Sequence, residues 1–171
     1  MKMNKAVAAT WATMLVVCGV MPACDIIPET LVWLNKADFE VDPKANGGKP
    51  FVCHIVIAYS KDLYDRLQSM DAKGYFSSAT SLEKTYKDSI EIFKFDLIPG
   101  KNKTDQSIDL KSRTKAKGAF LYAKYLTPGK FAENVGGARN ITVRLLQSNM
   151  EVHHDMDINA VWKKIGGGSM K

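Results

Sequence analysis

Residues 51–60, FVCHIVIAYS, constrain the fold more than any other stretch. Side chains of a strand alternate between its two faces, so Phe51, Cys53, Ile55, Ile57 and Tyr59 share one side. Val52, Val56 and Ala58 make the second side apolar too, and only His54 interrupts it. A strand apolar on both faces has to be covered on both, which places it centrally in a layered fold. His54, alone among apolar neighbours, is expected to be a hydrogen-bonded structural residue.

The period then changes. Leu63, Leu67 and Met70 fall at helical spacing behind Ser60, a good N-cap, with Asp62 in the first turn. Gly74 is expected to end that helix. Thr80 and Glu83 have capping-box spacing and mark a second short helix. Together they form a helical insertion, about 61–87, laid over a sheet edge. Strand patterns flank it. Residues 30–41 are β-branched and aromatic, and 42–50, DPKANGGKP, form a turn-rich loop expected to close a hairpin. Residues 89–98 place Phe93, Phe95 and Leu97 on one face; 99–105 are a turn and 106–111 a short strand. Gly118 marks a bulge in strand 115–126, and 127–140 is a long loop. Residues 140–148 alternate Ile141, Val143 and Leu145, and 157–165 supply a last strand before a flexible tail, 166–171. Short strands at regular spacing imply a mainly β fold, a β-sandwich of two antiparallel sheets over residues 31–165.

The N-terminal stretch follows another logic. Lys2 and Lys5 precede a short uncharged apolar run, and the first acidic residue is Asp25. That is the layout of an export signal, too short for a comfortable membrane span. Export brings cysteines into an oxidising compartment. Of Cys18, Cys24 and Cys53, the last lies in the apolar central strand and is expected to act as a small core residue. MPAC, Met21 to Cys24, resembles a bacterial lipobox. The resemblance implies a signal peptide over 1–23, acylation of Cys24 and a lipidated tether over 24–30, which Pro28 keeps from becoming helical. More than one acyl chain is what stable anchoring requires.

Little else suggests chemistry. His153 and His154 are adjacent and face opposite ways in a strand; His153, Asp155 and Asp157 are poor material for a zinc site, so no metal and no cofactor are expected. Glu91 and Asp96 lie on opposite strand faces and make no acid–base pair. With no nucleophile elbow or phosphate loop, the chain is not expected to be an enzyme. A net charge of +6 is mildly basic. Lys111, Arg113, Lys115 and Lys117 cluster at the entrance of a strand; they either keep an edge solvated or meet anionic lipid or an acidic partner. Aromatic residues do not interleave with them, which argues against nucleic acid.

The order of these features resembles one family, the TssJ (SciN) lipoproteins of type VI secretion systems. Over residues 24–148 the shared pattern runs from the lipobox cysteine through VDPKANGGKP, HIVIAYS, DLYDRLQSMDAKGYF and LIPG to KGAFLYAKYL. The resemblance implies a transthyretin-like sandwich and a structural role in the secretion envelope complex. The expected partner is the periplasmic part of an IcmF/TssM-like inner-membrane protein. The docking loop would be Asp42, Pro43, Lys44, Ala45, Asn46, Gly47, Gly48 and Lys49. It also implies a lipid anchor at the periplasmic face of the outer membrane. Asp25 departs from this, since aspartate after the lipid cysteine retains lipoproteins at the inner membrane in enteric bacteria. The segment from Glu151 onward extends past the shared pattern. A type IV secretion or conjugation lipoprotein, or a lipidated periplasmic small-ligand-binding domain, remains the alternative.

Overall fold

The computed structural model describes residues 32–155. The leader, Cys24, its tether, the expected strand 157–165 and the tail all lie outside the described residues. The chain runs β1 (Lys36–Val41), β2 (Phe51–Ala58), α1 (Lys61–Gln68), α2 (Ala72–Thr85), β3 (Ile90–Leu97), β4 (Lys103–Ser107), β5 (Gly118–Ala123), β6 (Ala132–Asn134), β7 (Asn140–Leu145) and β8 (Met150–His154). Two four-stranded sheets form, ordered β4-β1-β7-β8 and β3-β2-β5-β6. They are antiparallel except that β1 and β7 pair in parallel. The fold is a mainly β, transthyretin-like sandwich, and that one parallel pair corrects the expectation of purely antiparallel sheets.

Strand β2 sits between β3 and β5 with both faces covered. Cys53 and its cross-strand neighbour Phe95 face the other sheet, where Phe95 meets Phe39 of β1 at 4.9 Å between ring centres. The opposite side faces the helices. His54 Nδ1 lies 2.9 Å from the Tyr75 hydroxyl, and Tyr75 stacks on Tyr122 of β5 at 4.2 Å. The Tyr122 hydroxyl donates to the Leu67 carbonyl at 2.8 Å. The helices therefore cover a sheet face, not the sheet edge expected from sequence. Cys53 is fully buried, and burial pushes its thiol pKa far up, so it stays protonated.

Several local expectations are displaced. Ser60 caps α1 by accepting from the Leu63 N–H at 3.3 Å. That helix ends at Gln68, and Gly74 lies in the first turn of α2, whose N-cap Asp71 accepts from the Gly74 N–H at 2.6 Å. A strong acceptor at Asp71 outweighs glycine's stop signal, and the expected cap at Thr80 is mid-helix. The short strand after β3 is β4, earlier than the expected 106–111; Ile108 is buried beyond its end. The supposed loop 127–140 contains β6, a three-residue edge strand. Gly118 is no bulge, for its pairing with Ala58 continues the β2–β5 register without a break. A Cβ there would lie 2.5 Å from the ring of Tyr64, so close approach of that ring is what requires glycine. The 42–50 segment joins strands of different sheets and is a crossover, not a hairpin.

Two outcomes follow from this packing. Gly118→Val should cost about 1–2 kcal/mol in urea unfolding, and Tyr64→Ala should recover part of it in the double variant. His54 is pushed down to about 4, by burial first and by the nearby Lys94 cation next. Its unfolded value is near 6.5, so the unfolded chain binds the proton more readily. The contribution of neutral His54 is full above that value and is lost as pH falls toward 4. The melting temperature of the native chain should drop more between about pH 7 and pH 4.5 than that of His54→Gln, read by circular dichroism at both pH values.

Candidate functional site

The crossover Asp42–Lys49 is built on a few fixed points. Its entry is held where the Asp42 N–H donates to the Leu145 carbonyl at 2.9 Å. The Asp42 carboxylate accepts from the Lys44 N–H at 2.6 Å, an Asx turn, and the Ala45 N–H returns to the Asp42 carbonyl at 2.9 Å. A short 3-10 turn, Ala45–Gly48, follows. Asn46 stands at φ 49°, Gly47 at φ 65° and Gly48 at φ 74°. Three successive left-handed residues explain Asn-Gly-Gly, since asparagine and glycine tolerate that region best.

Asn46 is the clamp. It is 3% exposed. Its Nδ2 donates to the Lys49 carbonyl at 3.1 Å, closing the turn, and its Oδ1 accepts from the Leu126 N–H at 2.7 Å, tying the loop to the segment after β5. A second tie comes from the β3–β4 turn. The Gly100 N–H donates to the Val41 carbonyl at 3.0 Å, and Gly100 packs beside the Pro43 ring. Of the eight residues expected to dock, Ala45 and Asn46 are buried and Asp42 is half-buried. Pro43, Lys44, Gly47, Gly48 and Lys49 form the exposed surface.

These ties gather three segments at one end of the sandwich: the crossover, the Ile98–Lys101 turn and the start of the 124–131 connection. Ile98 is 48% exposed and Leu126 is 67% exposed. Around these two apolar side chains and Pro43 lie the exposed cations Lys44, Lys49, Lys101 and Lys124. A groove of about 550 Å³ continues from Leu126 between the start of α2 and the 124–131 connection, lined by Phe76, Tyr125 and Phe131. Tyr125 and Phe131 stack at 4.0 Å, and the Tyr125 hydroxyl donates to the Leu146 carbonyl at 2.8 Å, which ties the floor of that end to the chain just past β7. An apolar centre with a cationic rim suits a protein surface carrying carboxylates.

Ile98 and Leu126 are missing from the loop read in the sequence. A usable signal was present. LIPGK at 97–101 and LTPGK at 126–130 each set a large apolar residue ahead of a Pro-Gly turn, where burial is hard to achieve.

The other singled-out residues do not join this end. His153 and His154 stand opposite Thr142 and Ile141 in β8, on alternate faces, and His153 Nε2 lies 3.8 Å from Glu151. Asp157 is outside the described residues. Among the described residues, no three His, Cys, Asp or Glu side chains converge on a metal-sized site. The Glu91 carboxylate accepts from the Tyr59 hydroxyl and from the Lys111 N–H, while Asp96 is exposed on the other face. Burial, and then this bond to Glu91, push the Tyr59 phenol up to about 12.

No protein-family model matches the chain, and no curated protein matches it. Solved structures do. The type VI secretion lipoprotein TssJ1 of Pseudomonas aeruginosa superposes with a TM-score of 0.52 at 15% identity, over 70% of this chain and 94% of that one. Lip of Serratia marcescens, a membrane-bound component of the type VI secretion system, gives 0.52 at 14% identity, over 71% and 96%. A chain of a type VI membrane complex gives 0.53 at 17%, over 70% and 96%. The chain therefore has the fold of the TssJ lipoproteins.

Asn46→Ala removes both part-buried bonds of the clamp and puts alanine at a positive φ, which should cost about 1–2 kcal/mol in urea unfolding. Asn46→Gly keeps the left-handed backbone at ease but also loses the bonds, so it should recover no more than about 1 kcal/mol of that loss.

Proposed function

We propose that this chain is a non-enzymatic, membrane-anchored structural lipoprotein of a type VI secretion envelope complex. It docks onto the periplasmic part of an IcmF/TssM-like inner-membrane protein. The observation that carries the reading is the TssJ-like fold in a chain whose sequence sets a lipobox, Met21 to Cys24, ahead of it. The leader over 1–23 would be removed, Cys24 acylated and residues 24–30 used as tether. The anchor would lie at the periplasmic face of the outer membrane, with Asp25 as the feature that favours the inner one.

The docking surface is the loop end of the sandwich. Within Asp42–Lys49 the exposed residues make the contact, and Asn46 with Ala45 holds them in place. Ile98 and Leu126 supply the apolar centre, and Lys44, Lys49, Lys101 and Lys124 supply charge complementarity to an acidic partner surface. The lipid confines the domain to the envelope, which raises the effective concentration of a contact of modest intrinsic affinity.

The test is a titration of residues 25–171 against the periplasmic segment of the IcmF-type protein from the same bacterium. Saturable binding is expected. Lys44→Glu with Lys49→Glu should weaken it about tenfold and flatten its salt dependence, and Ile98→Asp with Leu126→Asp should weaken it by at least about tenfold, with melting temperatures nearly unchanged. Gly47 is a poor probe, because its positive φ strains any replacement. A folded domain with no binding at high micromolar concentration would overturn the reading and turn attention to a conjugation machine or a ligand-binding lipoprotein.

A further inference from the structure

The end of the sandwich opposite the docking loop is basic and carries the exposed indole of Trp33. Strand β1 runs from Lys36 to Val41, where the crossover begins, so the chain enters the domain about 20 Å away from the loop, the length of a six-residue strand. At the entry end Arg113 reaches across and donates through Nη1 to the Leu34 carbonyl at 2.9 Å and through Nη2 to the Ile108 carbonyl. That fixes the segment 109–117 beside the entering chain. The Asn35 N–H donates to the Arg139 carbonyl at 2.8 Å, which brings a second connection to the same place. Lys111, Lys115 and Arg139 are exposed there, with Asp109 and Asp155 as exposed acidic neighbours, so cations outnumber carboxylates by one among these five. Trp33, next to Leu34, is 42% exposed between the buried Val32 and Leu34.

We infer that this entry end is a membrane-contact face for anionic lipid, with Trp33 in the headgroup region and Lys111, Lys115 and Arg139 against the phosphates. Tryptophan favours the membrane–water interface, and basic side chains within a Debye length of an anionic surface are drawn to it. The inference rests on the lipid anchor at Cys24 proposed above. Cys24 to Leu31 is eight residues, which span about 28 Å at most when extended. The anchor joins the domain at this end, about 20 Å from the docking loop, so this end is the one the tether brings to the bilayer first, and the contact itself sets the orientation. Contact at this end would turn the loop away from the membrane that holds the lipid.

The test uses the chain from Cys24 onward, coupled through the Cys24 thiol to a maleimide lipid in vesicles; Cys53 is buried and does not compete. A Trp162→Phe background leaves Trp33 as its tryptophan. Brominated lipid should quench Trp33 fluorescence in phosphatidylglycerol-containing vesicles and leave it much less affected in pure phosphatidylcholine. Lys111→Glu, Lys115→Glu and Arg139→Glu together should reduce the quenching about threefold or more, with unchanged thermal melting. Trp33 unquenched in both vesicles, or quenching indifferent to lipid charge and to the triple reversal, would overturn the proposal. The coupling is chemical, so the outcome does not depend on natural acylation. Mass spectrometry of the protein from its own membrane tests that separately, since an unmodified Cys24 would remove the anchor while leaving the vesicle result readable.

Discussion

Strand β2 has to be dry on both faces, and the rest of the fold is arranged to meet that requirement. Phe51, Cys53, Ile55 and Ile57 need one layer, which the β4-β1-β7-β8 sheet supplies. Val56 and Ala58 need another, and α1 and α2 follow β2 directly in sequence and fold back over it. His54 falls on that second face, and it is tolerated because Tyr75 meets its ring nitrogen. Because β1 belongs to the opposite sheet, the chain between β1 and β2 must cross from layer to layer, roughly 10 Å in a sandwich. A crossing of that kind cannot be a tight two-residue turn. The length and left-handed backbone of the Asp42–Lys49 segment follow from the burial of the strand it feeds.

The same topology gives the domain two unlike ends. β1 and β7 run toward the crossover, and β8 returns, so the described chain enters at Val32 and reaches Asp155 at the same end. The Asp155 N–H donates to the Asn140 carbonyl there at 3.2 Å. The other end collects the crossover, the Ile98–Lys101 turn and the connection after β5. Basic residues stand at both ends, so charge alone does not separate their roles. What separates them, among the described residues, is the large apolar group each end exposes: Trp33 at one, Ile98 and Leu126 at the other.

Legibility in the sequence tracks the strength and range of the local signal. β2, β3 and β7 show because their period-two pattern is long and their burial one-sided or complete. The start of α1 shows because Ser60 caps it. β4 and β6 do not, since short polar edge strands carry no period, and Gly74 misleads because the cap at Asp71 overrides it. The crossover reads as a hairpin because turn chemistry is the same whether the next strand pairs with the last or joins another sheet. Its glycines and proline announce a loop, but Asn46 looks like any other of its residues. The partner that gives it meaning, the Leu126 N–H, is 80 residues away. Ile98 and Leu126 share that limitation: each is an ordinary turn-flanking residue until the ties through Gly100 and Asn46 bring them together.

For the docking role proposed above, a loop held this way would change what binding costs. Exposed Gly-rich loops ordinarily lose much conformational freedom on binding, and that loss subtracts from affinity. Here Asn46 has already fixed three left-handed residues, and the folding free energy of the sandwich has absorbed the ordering. In the proposed docking role, two part-buried hydrogen bonds and the packing of Pro43 on Gly100 would therefore act on binding without touching the partner. In the proposed function anchoring would act separately, on encounter, because a domain tied to a membrane meets a partner at an effective concentration set by the tether. The structural role proposed for this chain would gain from both. The two proposed contributions would be separable in this chain because they sit at opposite ends of one strand.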